Sequence, residues 1–484
     1  MHKVNKLYQL LENSAEQFPD NTALVLQEKK ISYQQLDSLA NKIKQALHSI
    51  NISEGNRIAI CSPKSIEFVA SIFGILKAGA AYVPVDYNSP IERNNFIIEN
   101  CEVAAIIITK DLLENFKNNF TFFADIGIDL VLAKSNKVTL KKSSEDLSYI
   151  LYTSGSTGNP KGVIYTNAGA LEFINWSSNT FSPTSSDCFS SHAPFHFDLS
   201  IFDLYVSIKH GATLVLIKEE VAKQPMLLAQ LISEQKISIW YSTPSILIML
   251  SEYGKMEKYK YDSLRLILFA GEVFPIVKLN TLKKKVKTSV FYNLYGPTET
   301  NVCTYYQLPE NIETNIPIGK VCEHYQACVV GDELLISGKG VMLGYWNVPE
   351  KDNFWKDQEN RFWYKTGDLV DVAESGDYIF KGRRDRMVKR NGYRIELDEI
   401  ETGLSKHPDI VIAAVVSKNN EEEQMIISAF VVLRNTEQKS VIKMKEYCMN
   451  HLPSYMVPND FIFVEDLPQT SSNKVDYQKL KQLA

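Results

Sequence analysis

Apolar and polar positions along this chain change period repeatedly. From Tyr33 to Leu47 the apolar residues recur three and four apart, the stripe of an amphipathic helix. Arg57 to Cys61 is a short β-rich run and reads as a strand, Ile66 to Lys77 as a helix, and Ala104 to Thr109 as a strand. Further on, Leu147 to Tyr152, Thr213 to Ile217, Ile237 to Tyr241 and Leu264 to Ala270 are short β-rich runs separated by helical segments. Such alternation predicts a layered α/β architecture built on parallel sheets. From about Glu333 the pattern changes to short strands and glycine turns, as in Leu334 to Gly340 and Gly376 to Phe380. A basic run, Gly382 to Gly392, is followed by a compact α+β pattern that includes Ile410 to Val416, Ile426 to Leu433 and Phe461 to Val464. A domain boundary is expected near Asp385.

The length of 484 residues exceeds one ordinary core, so roughly two to four domains are expected. A hydrophobic content of 45% and a charged content of 23% fit a globular protein. The net charge of −5 offers no general attraction to nucleic acid or an anionic membrane. The longest apolar region, Phe68 to Val85, is broken by Lys77, glycines and Pro84, so no membrane span is expected. The first residues carry no uninterrupted apolar stretch of the kind a signal peptide needs. Seven scattered cysteines with no CxxC spacing point to buried thiols and a cytoplasmic location rather than zinc or disulfides.

Candidate chemistry centres on Tyr152-Thr-Ser-Gly-Ser-Thr-Gly-Asn-Pro-Lys-Gly162. Four hydroxyls (Thr153, Ser154, Ser156, Thr157), three glycines and Lys161 are gathered there, just after a predicted strand. Glycines let backbone N–H groups converge on an anion, while hydroxyls and a lysine add donors and charge. Pro160 and Gly162 depart from the classical P-loop, and a polar surface loop has the same composition. The rest of the chain has to decide between the two.

Further segments follow in order: Phe197-Asp-Leu-Ser200, Asn293 to Thr300, Gly340 to Tyr345, Tyr364 to Leu369, Gly382 to Glu401, Leu452 to Pro458 and Asn473-Lys-Val-Asp476. With the glycine-rich loop they resemble the core motifs of the adenylate-forming superfamily, and most closely the amino-acid adenylation domains of nonribosomal peptide synthesis. The resemblance covers nearly the whole chain. It implies a large N-terminal α/β domain of stacked sheets with helices plus a small β subdomain (1–384), and a small mobile α+β C-terminal domain (385–484) that turns about Asp385. The implied chemistry is ATP-dependent activation of a carboxylic acid as its acyl-AMP, followed by thioester formation. The substrate carboxylate is then the nucleophile, so catalysis comes from positioning and from charge stabilisation at phosphorus.

By the same resemblance, Thr153, Ser154, Gly155, Ser156, Thr157 and Lys161 clamp the phosphates. Gly271, Glu272, Asn293, Tyr295 and Gly296 line the nucleotide, with Tyr295 against adenine. Thr298 and Glu299 serve phosphate and Mg²⁺, Glu299 as the metal ligand, which suits a hard cation shared with phosphate oxygens. Asp368 takes the ribose hydroxyls, assisted by Arg383 and Phe380. Lys474 bridges the substrate carboxylate and the nucleotide, although Ser472-Asn473 stands where the family usually has Asn-Gly. Gly392 marks the segment that serves the thiolation step.

Asp198 resembles the aspartate that holds the α-ammonium group of amino-acid substrates. The carried-over pocket is Asp198, Leu199, Phe202, Tyr241, Leu268, Ala270, Leu294, Val302, Cys303 and Lys474. Its apolar character and the bulk of Phe202 and Tyr241 favour a small aliphatic amino acid, and the pattern is similar to that of free-standing L-proline-activating enzymes. Valine, alanine, D-alanine and pipecolate remain alternatives, because an apolar pocket discriminates by only about 1–3 kcal/mol per methylene. His196 is read as a packed aromatic. No carrier segment follows Lys474, so the expected acceptor is a separate carrier protein bearing phosphopantetheine. An acyl-CoA synthetase, disfavoured by Asp198, and a nucleotide-binding module without turnover are the rival classes.

Overall fold

The computed structural model describes residues 4–127, 129–137, 143, 145–155, 159–311, 316–348, 354–420, 424–434, 439–469 and 475–484. They form a mixed α/β protein in two compact units. The first comprises residues 1–87, 98–152 and 162–382; the second comprises 88–97, 153–161 and 383–484.

Two large sheets, of nine and eight strands among the described residues, organise the first unit. In the nine-stranded sheet, Val290–Tyr295, Leu266–Ala270, Ile239–Ser242, Cys188–Ser191, Thr213–Leu216 and Thr22–Leu26 lie side by side and parallel. Antiparallel strands close both edges, Thr304–Gln307 and then Lys320–Val321 on one side and Lys29–Ser32 on the other. The eight-stranded sheet has a parallel centre of Leu147–Thr153, Ala81–Pro84, Arg57–Cys61 and Ala105–Thr109, with antiparallel edges beyond it. The expected parallel sheets are therefore present, but antiparallel strands finish them; the alternating βα pattern does not foretell these edges.

Helices Tyr33–Ser49 and Ile66–Lys77 carry the stripes seen in the sequence. The first starts at a capping box, Ser32 with Gln35, which satisfies two backbone donors at once. Both helices contribute to one apolar core, which also takes side chains from both large sheets and from a smaller antiparallel sheet that includes Glu333–Gly338 and Phe362–Val372. A second core lies on the other face of the nine-stranded sheet.

The second unit holds the hairpin Met387–Arg390 with Tyr393–Glu396, and a three-stranded sheet of Ile410–Asn419, Met425–Leu433 and Asp460–Phe463. Helices Leu397–Ser405 and Val441–His451 pack on its own core. No helix of the described residues is long and apolar enough to cross a membrane. None of the seven cysteines is in a disulfide.

Candidate active site

In an open parallel sheet, a crevice forms at the carboxyl ends of two neighbouring strands whose connections leave in opposite directions. Here those strands are Cys188–Ser191 and Ile239–Ser242: from the first, the chain goes to Thr213–Leu216 on one side, and from the second to Leu266–Ala270 on the other. The register puts Tyr241 opposite Leu268 and Ala270 opposite Leu294. Because side chains alternate along a strand, Tyr241, Leu268, Ala270 and Leu294 share one face with the first core, while Trp240, Ile267 and Phe269 face the second. Phe202, Val302 and Cys303 join the same face, and the Phe202 and Tyr241 rings meet edge to face at 5.5 Å. Leu199 packs against it, half-buried. The apolar positions expected for the acyl pocket therefore come together.

After Ser191 the chain runs through His192–Phe197 to Asp198, which precedes a helix of unusual pitch. Leu199–Ile201 is α-helical, Phe202–Val206 is a π turn, and Ser207–Lys209 is α-helical again. A π turn inserts a residue and re-aims the side chains around it. Asp198 is half-buried, and its Oδ2 accepts a hydrogen bond from the Thr298 hydroxyl at 2.7 Å. His196 lies edge to face with Phe197 at 6.2 Å, a packed ring as expected.

Thr298 and Glu299 follow strand Val290–Tyr295 through a tight turn at Gly296. A Cβ on Gly296 would stand 1.6 Å from the Asn301 carbonyl oxygen, so no larger residue fits. The Thr298 carbonyl accepts from the Tyr165 hydroxyl at 2.9 Å. Glu299 is fully buried; its Oε1 accepts from the Tyr345 hydroxyl at 2.5 Å, and its backbone carbonyl accepts from the Met342 N–H at 2.8 Å. The Gly340 to Tyr345 segment thus folds over Glu299. Sequence reasoning quoted that segment but gave Tyr345 no role, and it missed Tyr165 altogether.

Tyr295 and Asp368, both expected at the nucleotide, are hydrogen-bonded to each other, the phenol donating to the carboxylate. Burial and then the Asp368 charge push the Tyr295 hydroxyl well above its ordinary pKa, so it stays a proton donor. Phe380 packs half-buried against the same core. The Asn293 side-chain amide donates to the Pro317 carbonyl at 2.8 Å, and Glu272, next to Gly271, accepts from the Ser245 N–H at 3.0 Å.

No group of three or more acidic, histidine or cysteine side chains among the described residues could hold a metal by itself. Apart from Asp198, which the Thr298 hydroxyl already bonds, the donor set near Thr298 is one carboxylate, Glu299, beside hydroxyls. That set fits a hard divalent cation only if phosphate oxygens complete the shell, which is the usual habit of Mg²⁺.

In the second unit, the glycine-rich loop donates to protein oxygens. Ser154 Oγ donates to the Arg394 carbonyl at 2.8 Å, and the Gly155 N–H donates to Glu399 Oε2 at 3.1 Å. Glu399 is buried and its other oxygen is paired with Arg93. A loop amide here meets a carboxyl group of the protein itself. Thr153 ends one strand and Lys161 begins the next, while Ser156 and Thr157 lie outside the described residues. Arg383 and Asp385, expected in separate roles, form a two-pronged ion pair with both contacts at 2.7 Å. Burial would push the Asp385 carboxyl up, but the hydrogen bond and charge of Arg383 hold it below the usual range. Asn391 and Gly392 have φ of 52° and 80° and form the two-residue turn of the hairpin. Lys474 lies outside the described residues; the flanking Gln469 and Val475 are bridged to each other.

A profile of the AMP-binding enzyme family matches residues 11–346, and a profile of the AMP-binding enzyme C-terminal domain matches residues 399–474. A Pseudomonas fluorescens protein named L-proline–[L-prolyl-carrier protein] ligase is 34% identical, over 97% of this chain and 97% of its own length. A Streptomyces coelicolor protein of the same name is 33% identical, over 93% of this chain and 91% of its own. Among solved structures, the amide bond synthetase McbA from Marinactinospora thermotolerans has a TM-score of 0.87 at 18% identity, covering 99% of each chain. The Vibrio cholerae adenylation domain AlmE, solved with glycyl-adenosine-5'-phosphate, has a TM-score of 0.83 at 23% identity, covering 100% of this chain and 98% of its own. At those identities the structural likeness speaks for the fold alone.

Proposed function

This chain belongs to the AMP-binding enzyme family, and from that premise we propose that it activates L-proline as prolyl-AMP and passes the prolyl group to the phosphopantetheine thiol of a separate carrier protein. The observation that carries the substrate is one carboxylate, Asp198, beside a wall of Phe202, Tyr241, Leu268, Ala270, Leu294, Val302 and Cys303 that are otherwise packed in an apolar core. Proline's secondary ammonium would pair with Asp198, and its ring carries no polar atom that the wall must satisfy. Two relatives named for L-proline and a prolyl carrier protein, similar over nearly the whole chain, support the same acid and acceptor.

In the first step a proline carboxylate oxygen attacks the α-phosphorus of ATP, and the bond to the bridging oxygen breaks as pyrophosphate leaves. In the second, the carrier thiolate attacks the acyl carbonyl, and AMP leaves. Neither step needs a protein nucleophile. Tyr295 and Phe380 would frame the nucleoside, Asp368 and Arg383 would take the ribose, and Thr153–Lys161 with Thr298 would hold the phosphates. Glu299 would hold Mg²⁺, which supplies charge neutralisation at the phosphates when bound. Lys474 would bridge the two reacting anions, Asp385 would be the hinge between the steps, and Gly392 would serve thiolation.

Pyrophosphate exchange across the proteinogenic amino acids plus pipecolate and D-alanine tests this reading. Proline is expected to give the highest kcat/KM. A higher value for valine, alanine or D-alanine would overturn the substrate, and exchange with fatty or aryl acids alone would make the protein an acyl-CoA synthetase instead.

A further inference from the structure

Between the strand end at Ser191 and Asp198 the backbone leaves the sheet after a last backbone bond, from the Ile217 N–H to the Ser191 carbonyl at 3.3 Å. One side chain gathers the backbone carbonyls there. The Lys64 ammonium donates to the carbonyls of Ser191 (2.5 Å), Ala193 (2.9 Å) and His192 (3.2 Å) and to Ser191 Oγ (3.2 Å). It also lies 5.3 Å from the centre of the Phe195 ring, which stacks on Phe68 at 4.8 Å. Lys64 comes from the other large sheet, in the loop between strand Arg57–Cys61 and helix Ile66–Lys77. It therefore ties the segment leading into Asp198 to a different layer of the same unit.

Asp203 stands five residues beyond Asp198, in the π turn and next to Phe202. It is 1% exposed, and neither carboxyl oxygen has a hydrogen-bond partner among the described residues. Burial raises its pKa well above the ordinary carboxylate range, and the charge that opposes this is Lys64. Lys64 in turn is pushed down to about 7 by burial, against the opposing charge of Asp203. Packing alone gives no reason for a carboxyl there, since a buried acid without donors costs free energy that an apolar residue would not. The charge that opposes its burial is the ammonium that gathers the Ser191–Ala193 carbonyls, and its own carboxyl bears on Tyr241 of the pocket wall.

We propose that Lys64 and Asp203 act together in positioning the amino-acid pocket: Lys64 fixes the segment that delivers Asp198, and the enclosed Asp203 carboxyl sits in the turn that delivers Phe202. Neither residue contacts the substrate. Their effect reaches it through the placement of Asp198 and Phe202, so loss of the pair weakens amino-acid binding more than nucleotide binding.

The proposal rests on the proline-activation reading, and its test separates the two. Proline-dependent pyrophosphate exchange by the wild-type chain comes first; without it the substrate reading fails, and the variants are scored with whichever amino acid the wild type uses. Lys64→Met is expected to raise the KM for the amino acid about tenfold and to leave the KM for ATP within about twofold. Lys64→Arg, whose guanidinium can still donate to carbonyls, is expected to recover most of that loss. Asp203→Asn, which keeps the shape and removes the ionisable carboxyl, is expected to raise the amino-acid KM severalfold. Melting temperatures report folding, and if Lys64→Met does not fold, the other two variants decide. Wild-type amino-acid KM in Asp203→Asn, an equal rise in both KM values, or no advantage of Lys64→Arg over Lys64→Met would each overturn the pair.

Discussion

The Thr298 hydroxyl donates to the Asp198 carboxylate at 2.7 Å, joining a residue of the nucleotide motif to the residue expected at the substrate amine. The two sites therefore share a bond although their motifs lie far apart in the chain. Asp198→Ala is expected to abolish proline-dependent pyrophosphate exchange, because removing one member of a buried charge pair costs about 2–5 kcal/mol. Asp198→Asn keeps a hydrogen-bond acceptor for Thr298 and loses only the charge, and the same loss is expected. Thr298→Ala should fall between wild type and these variants, raising the KM for both substrates. Full exchange activity in Asp198→Asn would remove the amine role.

On the proposed reading, in which Glu299 holds Mg²⁺, Tyr345 bears on the metal through that carboxylate. Its hydroxyl occupies Glu299 Oε1 and so directs the carboxylate. A hydrogen bond to a charged group contributes about 1.5–3 kcal/mol. Tyr345→Phe is expected to raise the Mg²⁺ concentration for half-maximal exchange about tenfold, and Glu299→Gln to raise it further. Exchange rates measured against Mg²⁺ concentration check both, and an unchanged Mg²⁺ dependence in Glu299→Gln would exclude Glu299 as the ligand.

Arg93 and Glu399 form a buried ion pair within the second unit, with side chains 10% and 3% exposed. Truncating one partner leaves the other charged and enclosed, at a cost of about 3–5 kcal/mol. Glu399→Ala is accordingly expected to lower the urea midpoint clearly, while the double variant Arg93→Met, Glu399→Leu regains most of it. Equal midpoints for Glu399→Ala and wild type would show that the pair carries little.

His192 should make stability depend on pH. Burial, and then the neighbouring Lys64 charge, push its imidazole down to about 3, and its enclosed Nε2, beside Trp240, has no hydrogen-bond partner among the described residues. Below the ordinary histidine value of about 6.5, the unfolded chain takes up a proton that the folded chain refuses. This contribution is thus complete above about pH 6.5 and declines on acidification; between pH 7 and 5 the loss is about 2 kcal/mol at most. Asp203, with its raised pKa, works in the opposite direction over that range. The informative quantity is therefore the difference between wild type and His192→Phe in urea unfolding at pH 7 and pH 5, and the variant is expected to lose less stability on acidification.

Much of this protein was legible without coordinates. Helix Ile66–Lys77 and strand Arg57–Cys61 have the bounds their periodicity predicts, and the strand expected over Leu264 to Ala270 is found at Leu266–Ala270. The ordered motifs named the chemistry, because a nucleotide site needs particular residue types close to glycine turns, and those leave a local trace. Edge strands and element ends were less legible, since pairing partners rather than local pattern decide where they stop.

By itself the sequence determined the layered α/β class, the nucleotide motifs and the singular position of Asp198. Only the tertiary structure decided which faces and which partners those residues have. Leu266–Ala270 is apolar at every position, so its alternation cannot say which side chains look toward the crevice; the parallel register does. Likewise, Tyr345 over Glu299, Glu399 at the Gly155 amide and Lys64 on the Ser191–Ala193 carbonyls join residues far apart in the chain. A hydrogen bond depends on distance and direction in space, and a loop carbonyl is the same group in every residue, so such contacts leave no period and no motif to read.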